Sequence, residues 1–411
     1  MIAGALLCVA TSWFFVKWNF ANSVASRLDT KRADYKPVAE WLTQLAPGDP
    51  QTHQTTARIY QRTFDTDDLT RALREYELAV ALSPYNYLAW ADLGRARSLN
   101  GDADSALAAY QHALQLAPNY AAVQWAYGNA LVREGNTDEG FSFVAKAAAA
   151  NPDYAQPAVQ TALQIFDYDA GKVFQALGNT DVTNAALASS FAGQMHFDEA
   201  FQAWSRLADA DKAVKFRELG KTLLDKFAQA KRFELAANVA ASLRNETEKP
   251  VIGQISNGGF ENAVKLRDAG LFEWQIAEAA QPQIGLSDTQ PHSGSHSLLI
   301  AFNSFETDAF RSVSQTVAVT PGTEYEFEAF YRSDVKTQAS LKLEVVNALT
   351  STPFASLLLA PVADWTPLHA RFSMPADSDG IIIRLVREGC AGVSCPTKGN
   401  LSLDDLSLKR L

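Results

Sequence analysis

A spacing of 34 residues recurs through the first half of the chain and constrains its fold more than any single motif. Pro84, Pro118 and Pro152 fall on it, as do Ala79, Ala113 and Ala147; Tyr76 and Tyr110 share it, and so do Gly94 and Gly128. A period of this size is one helical hairpin stacked on the next, because each unit leaves an apolar face that only a neighbour can cover. In the middle unit Gly94 and Ala106 are small, which lets two helices cross closely, and Trp90, Leu93 and Tyr110 fill the space around the crossing. Gly101 after Asn100 ends the first helix in a left-handed cap, Asp102 or Asp104 caps the next, and Pro118 stops the second helix.

That unit, Trp90-x2-Leu93-Gly94 followed by Ala106-x3-Tyr110, Ala113 and Pro118, resembles the tetratricopeptide repeat. The departures are specific. Arg97 stands where the repeat has Tyr, Gln124 replaces Trp in the next unit, and Gly140 replaces Ala. The unit starting near His53 has Thr56 and Tyr60 where Trp and Gly belong. The clearest repeats span residues 53–154, and helical spacing continues through Ala185–Leu207 and Phe216–Leu243, so an all-α solenoid is expected over 35–246. The resemblance implies a concave wall of first helices that receives a protein partner, with Gln61, Phe64, Arg95, Trp125 and Asn129 on it. The other reading of these five is solvated or packing positions.

Near residues 245–250 alanine-rich helix gives way to alternation rich in Gly, Ser, Thr and Val. Strands are expected at Ser297–Phe302, Ser312–Val319, Glu324–Ser333, Ser340–Asn347, Pro367–Ser373, Ile381–Arg387 and Leu401–Leu408, with Pro321-Gly322 as a tight turn. Many short strands without helical periodicity argue for an all-β antiparallel sandwich over 251–411. The order Asn257-Gly258-Gly259-Phe260-Glu261, Trp274, His292-Ser293-Gly294-Ser295-His296-Ser297-Leu298 and Leu403-Asp404-Asp405-Leu406 resembles the galactose-binding-like jelly rolls, especially carbohydrate-binding modules.

The resemblance implies a glycan ligand. Alternation in Glu324–Ser333 puts Tyr325, Phe327, Ala329 and Tyr331 on one face and Glu326, Glu328, Phe330 and Arg332 on the other. With Lys342, Glu344 and Arg384 from neighbouring strands, this second face would be charged, and Phe330, Arg332, Glu328 and Arg384 are the expected glycan contacts; plain solvent exposure is the competing reading. The resemblance also implies a structural calcium held by Glu261, Asp404 and Asp405, against a metal-free sandwich in which these acids make surface hydrogen bonds. Cys390 and Cys395 flank a Gly-containing loop, too poor a set for zinc; a local disulfide is expected, implying an oxidising compartment, with reduced cysteines as the alternative.

Ile2–Val16 is uncharged, and Lys17, Trp18 and Phe20 follow it. With a snorkelling lysine and interfacial aromatics, residues 2–20 read as a membrane anchor within a segment 1–22; a cleaved secretory signal is the rival. The formal charge of −10, from 46 acidic against 36 basic residues, argues against nucleic acid. Six scattered histidines, no phosphate-binding loop, no nucleophile elbow and no zinc-protease motif leave no catalytic centre and no catalytic cofactor to expect. The sequence therefore points to a membrane-anchored, extracytoplasmic adaptor of the bacterial envelope, whose helical repeats take a protein partner and whose jelly roll takes a polysaccharide. The alternatives are a purely structural scaffold, its jelly roll contacting protein or its own solenoid, and a targeting subunit of a separate glycoside hydrolase.

Overall fold

A computed structural model of the chain describes residues 2–63, 66–244, 249–306, 310–389 and 394–411, without the side chains of residues 2–10, 66, 305 and 306. It divides into two compact units, Met1–Ser190 and Phe191–Leu411.

The first unit is helical. Helices Pro50–Tyr60, Tyr87–Leu99 and Ala121–Arg133 each pack on the helix that follows, Thr66–Leu82, Ala103–Leu116 and Thr137–Ala150 respectively. The crossings are as tight as the small residues suggest: a Cβ on Gly94 would lie 2.8 Å from the Tyr110 ring. Gly101 has φ +81°, and the Asp102 carboxylate accepts from Ser105 N at 3.2 Å, so both expected caps are present.

The sequence departures acquire reasons. Gly140 stands where alanine is usual because the crossing there is backbone on backbone. A Cβ on Gly128 would lie 2.7 Å from the Gly140 carbonyl oxygen, and one on Gly140 would lie 2.8 Å from that of Gly128. Gln124 does the work of the missing tryptophan: Trp90 Nε1 donates to the Pro84 carbonyl at 2.8 Å, and Gln124 Nε2 donates to the Pro118 carbonyl at 2.8 Å. The same bond recurs between His53 Nε2 and the Pro47 carbonyl at 2.9 Å. His53 and Ala57, rather than Thr56 and Tyr60, are thus the counterparts of Trp90 and Gly94, because the first hairpin is three residues longer than the strict period allows.

Ile2–Ala25 forms one helix, but its expected role as an anchor gains no support: among the described residues no helix is long and apolar enough to cross a membrane. The C-terminal part of this helix belongs to the solenoid. Ala21 and Ala25 are buried with Leu42 and Ala46, and Asn22 Nδ2 donates to Asp49 at 2.9 Å.

The second unit joins the last helices to the sandwich. Strands β1 (Gln275–Ile276), β2 (Gln283–Ser287), β3 (Ser297–Glu306), β4 (Val313–Ala318), β5 (Glu324–Ser333), β6 (Lys336–Thr337), β7 (Ser340–Asn347), β8 (Pro353–Leu358), β9 (Val362–Ser373), β10 (Gly380–Glu388) and β11 (Ser394–Arg410) make two antiparallel sheets. One has the order β1-β4-β10-β7-β8; the other runs β2-β3-β11-β5-β9, with β6 also on β11. Alternate residues of both, among them Leu298, Ile300, Phe327, Leu343, Val345, Ile383 and Leu403, fill the space between the sheets.

The composition shift near 245–250 is not where packing divides the chain. Helices Arg217–Gln229 and Phe233–Ser242 lie in the same compact unit as the sheets. The Asp379 carboxylate, in the loop before β10, accepts from the first two amides of Phe233–Ser242, Phe233 N at 3.0 Å and Glu234 N at 2.9 Å. The Phe233 ring fills the space a Cβ on Gly380 would need, at 2.3 Å.

Candidate functional site

The four expected glycan contacts separate onto opposite sides of the sandwich. Phe330, Arg332 and Glu328 lie on β5, whereas Arg384 lies on β10 of the other sheet. Alternation tells which residues leave the core, but not from which sheet they leave.

On the β5 side the aromatic surface is used internally. The His292 ring lies 3.7 Å from that of Phe330, nearly parallel at 15°, and edge-on to Trp365 at 5.7 Å. Arg332 sits over the Trp365 ring and donates to the Thr289 carbonyl at 2.6 Å and Gln290 Oε1 at 3.0 Å, while Trp365 Nε1 donates to the Gln290 carbonyl at 3.1 Å. The loop from Thr289 to His292 is thereby clasped to the sheet. Glu328 faces His369 across the β5–β9 pair at 3.7 Å.

The β10 side is built differently. Register places Ser356, Glu344, Arg384 and Ser314 directly opposite one another on β8, β7, β10 and β4, a polar row crossing four strands. These positions alternate with the core residues Leu343, Val345, Ile383 and Leu385, so the row lies on the outer face. Arg384 donates to Glu344 Oε2 twice, from Nε at 3.0 Å and Nη2 at 2.8 Å, and Ser356 Oγ donates to Oε1 at 3.2 Å. The Glu344 side chain is only 5% exposed and that of Arg384 37%. The flanking rows are mixed: buried Val346 with Ile382 and Thr316 on one side, and Leu358, Lys342 and Val386 on the other, where Lys342 pairs with Glu388 at 2.6 Å. A fixed charged pair flanked by half-buried Ile382 and Val386 and exposed Leu358 supplies both polar direction and apolar contact, the combination ligand sites use. Three strand spacings make the row roughly 14 Å long, enough for a short oligosaccharide.

The expected calcium ligands all meet the loop between Pro291 and Ser297. Glu261 Oε1 accepts from Ser295 N at 2.8 Å and His296 N at 3.1 Å, and these backbone bonds hold its carboxyl below the usual range. Asp404 is fully buried and accepts from His292 N at 2.8 Å and Asp405 N at 2.8 Å; burial pushes its carboxyl up despite those bonds. Asp405 takes His292 Nδ1 at 2.6 Å and Ser293 Oγ at 2.8 Å. Ser297 Oγ is buried without a partner. Among the described residues no group of three or more His, Cys, Asp or Glu side chains converges as a metal-binding set, so a calcium here would need backbone carbonyls as well. Cys395 is buried and disulfide-bonded, while Cys390 lies outside the described residues.

On the solenoid wall Gln61 and Arg95 come together and the others do not join them. Gln61 Oε1 accepts from Tyr76 Oη at 3.0 Å and from Arg95 at 3.4 Å. The centre of this network is Asp92, which pairs with Arg58 at 2.7 Å and Arg95 at 2.9 Å and also takes Gln54 Nε2 at 3.0 Å. Arg58 and Asp92 were missed because the strict period aligns Gln61 with Arg95. The longer first hairpin aligns Arg58 instead. Trp125 stacks on Tyr154 at 5.0 Å, and Asn129 Nδ2 bonds the Trp125 carbonyl at 2.8 Å. Phe64 lies outside the described residues.

Known proteins agree with both halves. Residues 98–164 match the tetratricopeptide repeat model, and residues 253–388 match a carbohydrate binding domain. Both are non-catalytic types of domain. No curated protein matches the chain. Among solved structures, one titled "CBM4 structure and function" is 16% identical, covering 38% of this chain and 99% of its own, with a TM-score of 0.29. A structure of TmCBM61 in complex with β-1,4-galactotriose is 15% identical over 38% of this chain and 96% of its own, TM-score 0.29. MamA is 15% identical over 48% of this chain and 89% of its own, TM-score 0.28. By the two family models, the chain carries tetratricopeptide repeats and a carbohydrate-binding-type domain.

Proposed function

We propose that this protein is a non-catalytic adaptor that holds a polysaccharide on the outer face of the β1-β4-β10-β7-β8 sheet and a protein partner on its helical repeats. The observation that carries the glycan half is the Ser356–Glu344–Arg384–Ser314 row, a nearly buried carboxylate locked by a guanidinium on a face that points away from the core. Burying a charge is costly unless its partners are in place, and here they stand pre-arranged on the outer face of the sheet. The β5 side is the weaker choice, because His292 covers Phe330 and loop carbonyls occupy Arg332. The domain match at 253–388 supports the ligand class. On the solenoid, Arg58 and Arg95 around Asp92 favour an acidic segment of the partner.

An extracytoplasmic site of action is part of the proposal, supported by the disulfide at Cys395; a role in assembling or attaching envelope polysaccharide fits it. Calcium at Glu261, Asp404 and Asp405 belongs to the proposal as a stabiliser of the Pro291–Ser297 loop, supported by the buried Asp404 carboxyl, which a cation would relieve. Its check is the melting temperature with calcium and with chelator. A second reading, a scaffold whose jelly roll packs on its own helices, is favoured by the Asp379 clasp on helix Phe233–Ser242. Affinity electrophoresis of the full chain through gels containing single polysaccharides separates the two: retardation by one class supports the adaptor, and migration unaffected by every polysaccharide supports the scaffold.

A further inference from the structure

Within the second unit, helices Arg217–Gln229 and Phe233–Ser242 and the segment 249–274 line an open cavity of about 570 Å³. That volume lies in the range of small-molecule sites, and the cavity has no part in the polar row on the sheet. Leu224 and Val264 contribute apolar wall, and Arg244, Lys265 and Glu273 line it as a charged cluster, with Lys249 as a further cation on the lining. Two cations meet one carboxylate there: Arg244 Nη1 lies 2.5 Å from Glu273 Oε1, and Lys265 Nζ lies 3.0 Å from Oε2. Glu273 Oε2 also accepts from Gly270 N at 2.8 Å. A Cβ on Gly270 would lie 2.3 Å from Arg244 Nη2, so a side chain there would push the guanidinium aside; with glycine the guanidinium rests against bare backbone. The Arg244 side chain is 28% exposed and Glu273 22%, so this pair is partly withdrawn from water and screened less than a surface pair, whereas Lys265 is exposed.

We propose that this cavity binds a sugar acid, a hexuronate unit whose carboxylate takes the charge that two cations leave over after one glutamate. The apolar wall takes the ring face, and the guanidinium, oriented by Glu273 and Gly270, meets the carboxylate in the paired geometry that arginine offers and lysine does not. The site is independent of the Glu344–Arg384 row, so the two can fail separately.

The test is calorimetric titration of the full chain with D-galacturonate and D-glucuronate, against D-galactose and D-glucose, at low and high salt. Saturable uronate binding, at least about tenfold tighter than the neutral sugars and weakened by salt, is the expected result. Arg244→Gln should lower uronate affinity by about tenfold or more while the melting temperature of the complex-free chain stays close to wild type. If Arg244→Gln does not fold, Leu224→Trp, which fills the cavity from its apolar wall and leaves the charges in place, should abolish binding instead. The Arg384→Met change on the sheet should leave uronate binding intact. Equal binding of acid and neutral sugars, no saturable uronate binding, or uronate binding undiminished in folded Arg244→Gln or Leu224→Trp would overturn the proposal.

Discussion

Removing the Asp379 carboxylate tests how the helices and sheets of the second unit are joined. The first amides of a helix have no partner within it, and helix Phe233–Ser242 receives none from a local capping side chain. Asp379 takes two of those amides at 3.0 and 2.9 Å across more than a hundred residues of sequence. Loss of a capping oxygen costs about 0.5–2 kcal/mol, and a charge at a partly buried helix end contributes up to about 2 kcal/mol. Asp379→Ala should therefore loosen this helix by about 2 kcal/mol, and Asp379→Asn, which keeps an acceptor without the charge, by about half that. Because the chain has two compact units, a single melting temperature would blur the effect. Hydrogen exchange of peptides covering Phe233–Ser242 isolates it: 2 kcal/mol corresponds to roughly 30-fold faster exchange. Unchanged exchange in Asp379→Ala would refute the idea that this carboxylate joins helix to sandwich.

Two further predictions concern the solenoid. His53 is buried with both ring nitrogens facing acceptors, Glu75 Oε2 at 2.5 Å and the Pro47 carbonyl at 2.9 Å, so it must carry two protons to satisfy both. Burial alone would lower its pKa, but the bonds to Glu75 and Pro47 and the charges of Glu75 and Asp49 raise it. Its stabilising contribution should be complete below the unfolded value of about 6.5 and be lost as pH rises through the higher folded value. Urea midpoints of wild type should fall across that window while those of His53→Gln stay flatter; parallel profiles would contradict the doubly protonated ring. Gly128→Ala should destabilise by about 1–3 kcal/mol because its Cβ meets the Gly140 carbonyl, although alanine is the better helix former. Gly193→Ala, with open space around it, should have the opposite sign in thermal melts.

What was legible in the sequence was whatever is decided locally. The repeat shows in Gly94, Tyr110 and Pro118 because each helical crossing is rebuilt every hairpin from the same few residues. Strands β5 and β7 have the expected bounds: β5 alternates cleanly between core and solvent, and β7 alternates in its first half before a run of buried residues. Strands β2 and β8 escaped notice, being short and holding a single buried residue between them, so little alternation marks them. Sheet membership is not local at all: Phe330 and Arg384 both point away from the core, and only strand order shows that they do so in opposite directions. The Asp379 clasp and the charged cavity escaped for the same reason, since their partners lie far apart in sequence. His53 was readable in retrospect, because the six-residue step from Pro47 repeats from Pro84 to Trp90 and from Pro118 to Gln124.

The central claim is that the polar row on the β1-β4-β10-β7-β8 sheet holds a glycan. The most direct measurement compares polysaccharide binding by the full chain, by Arg384→Met and by Phe330→Ala, with circular dichroism confirming that each is folded. The account predicts saturable binding by wild type to one polysaccharide class, at least about tenfold weaker in Arg384→Met, and near-normal in Phe330→Ala, whose ring His292 already covers. Binding lost in Phe330→Ala and kept in Arg384→Met would put the site on the wrong sheet; no binding by folded wild type would contradict the glycan role itself.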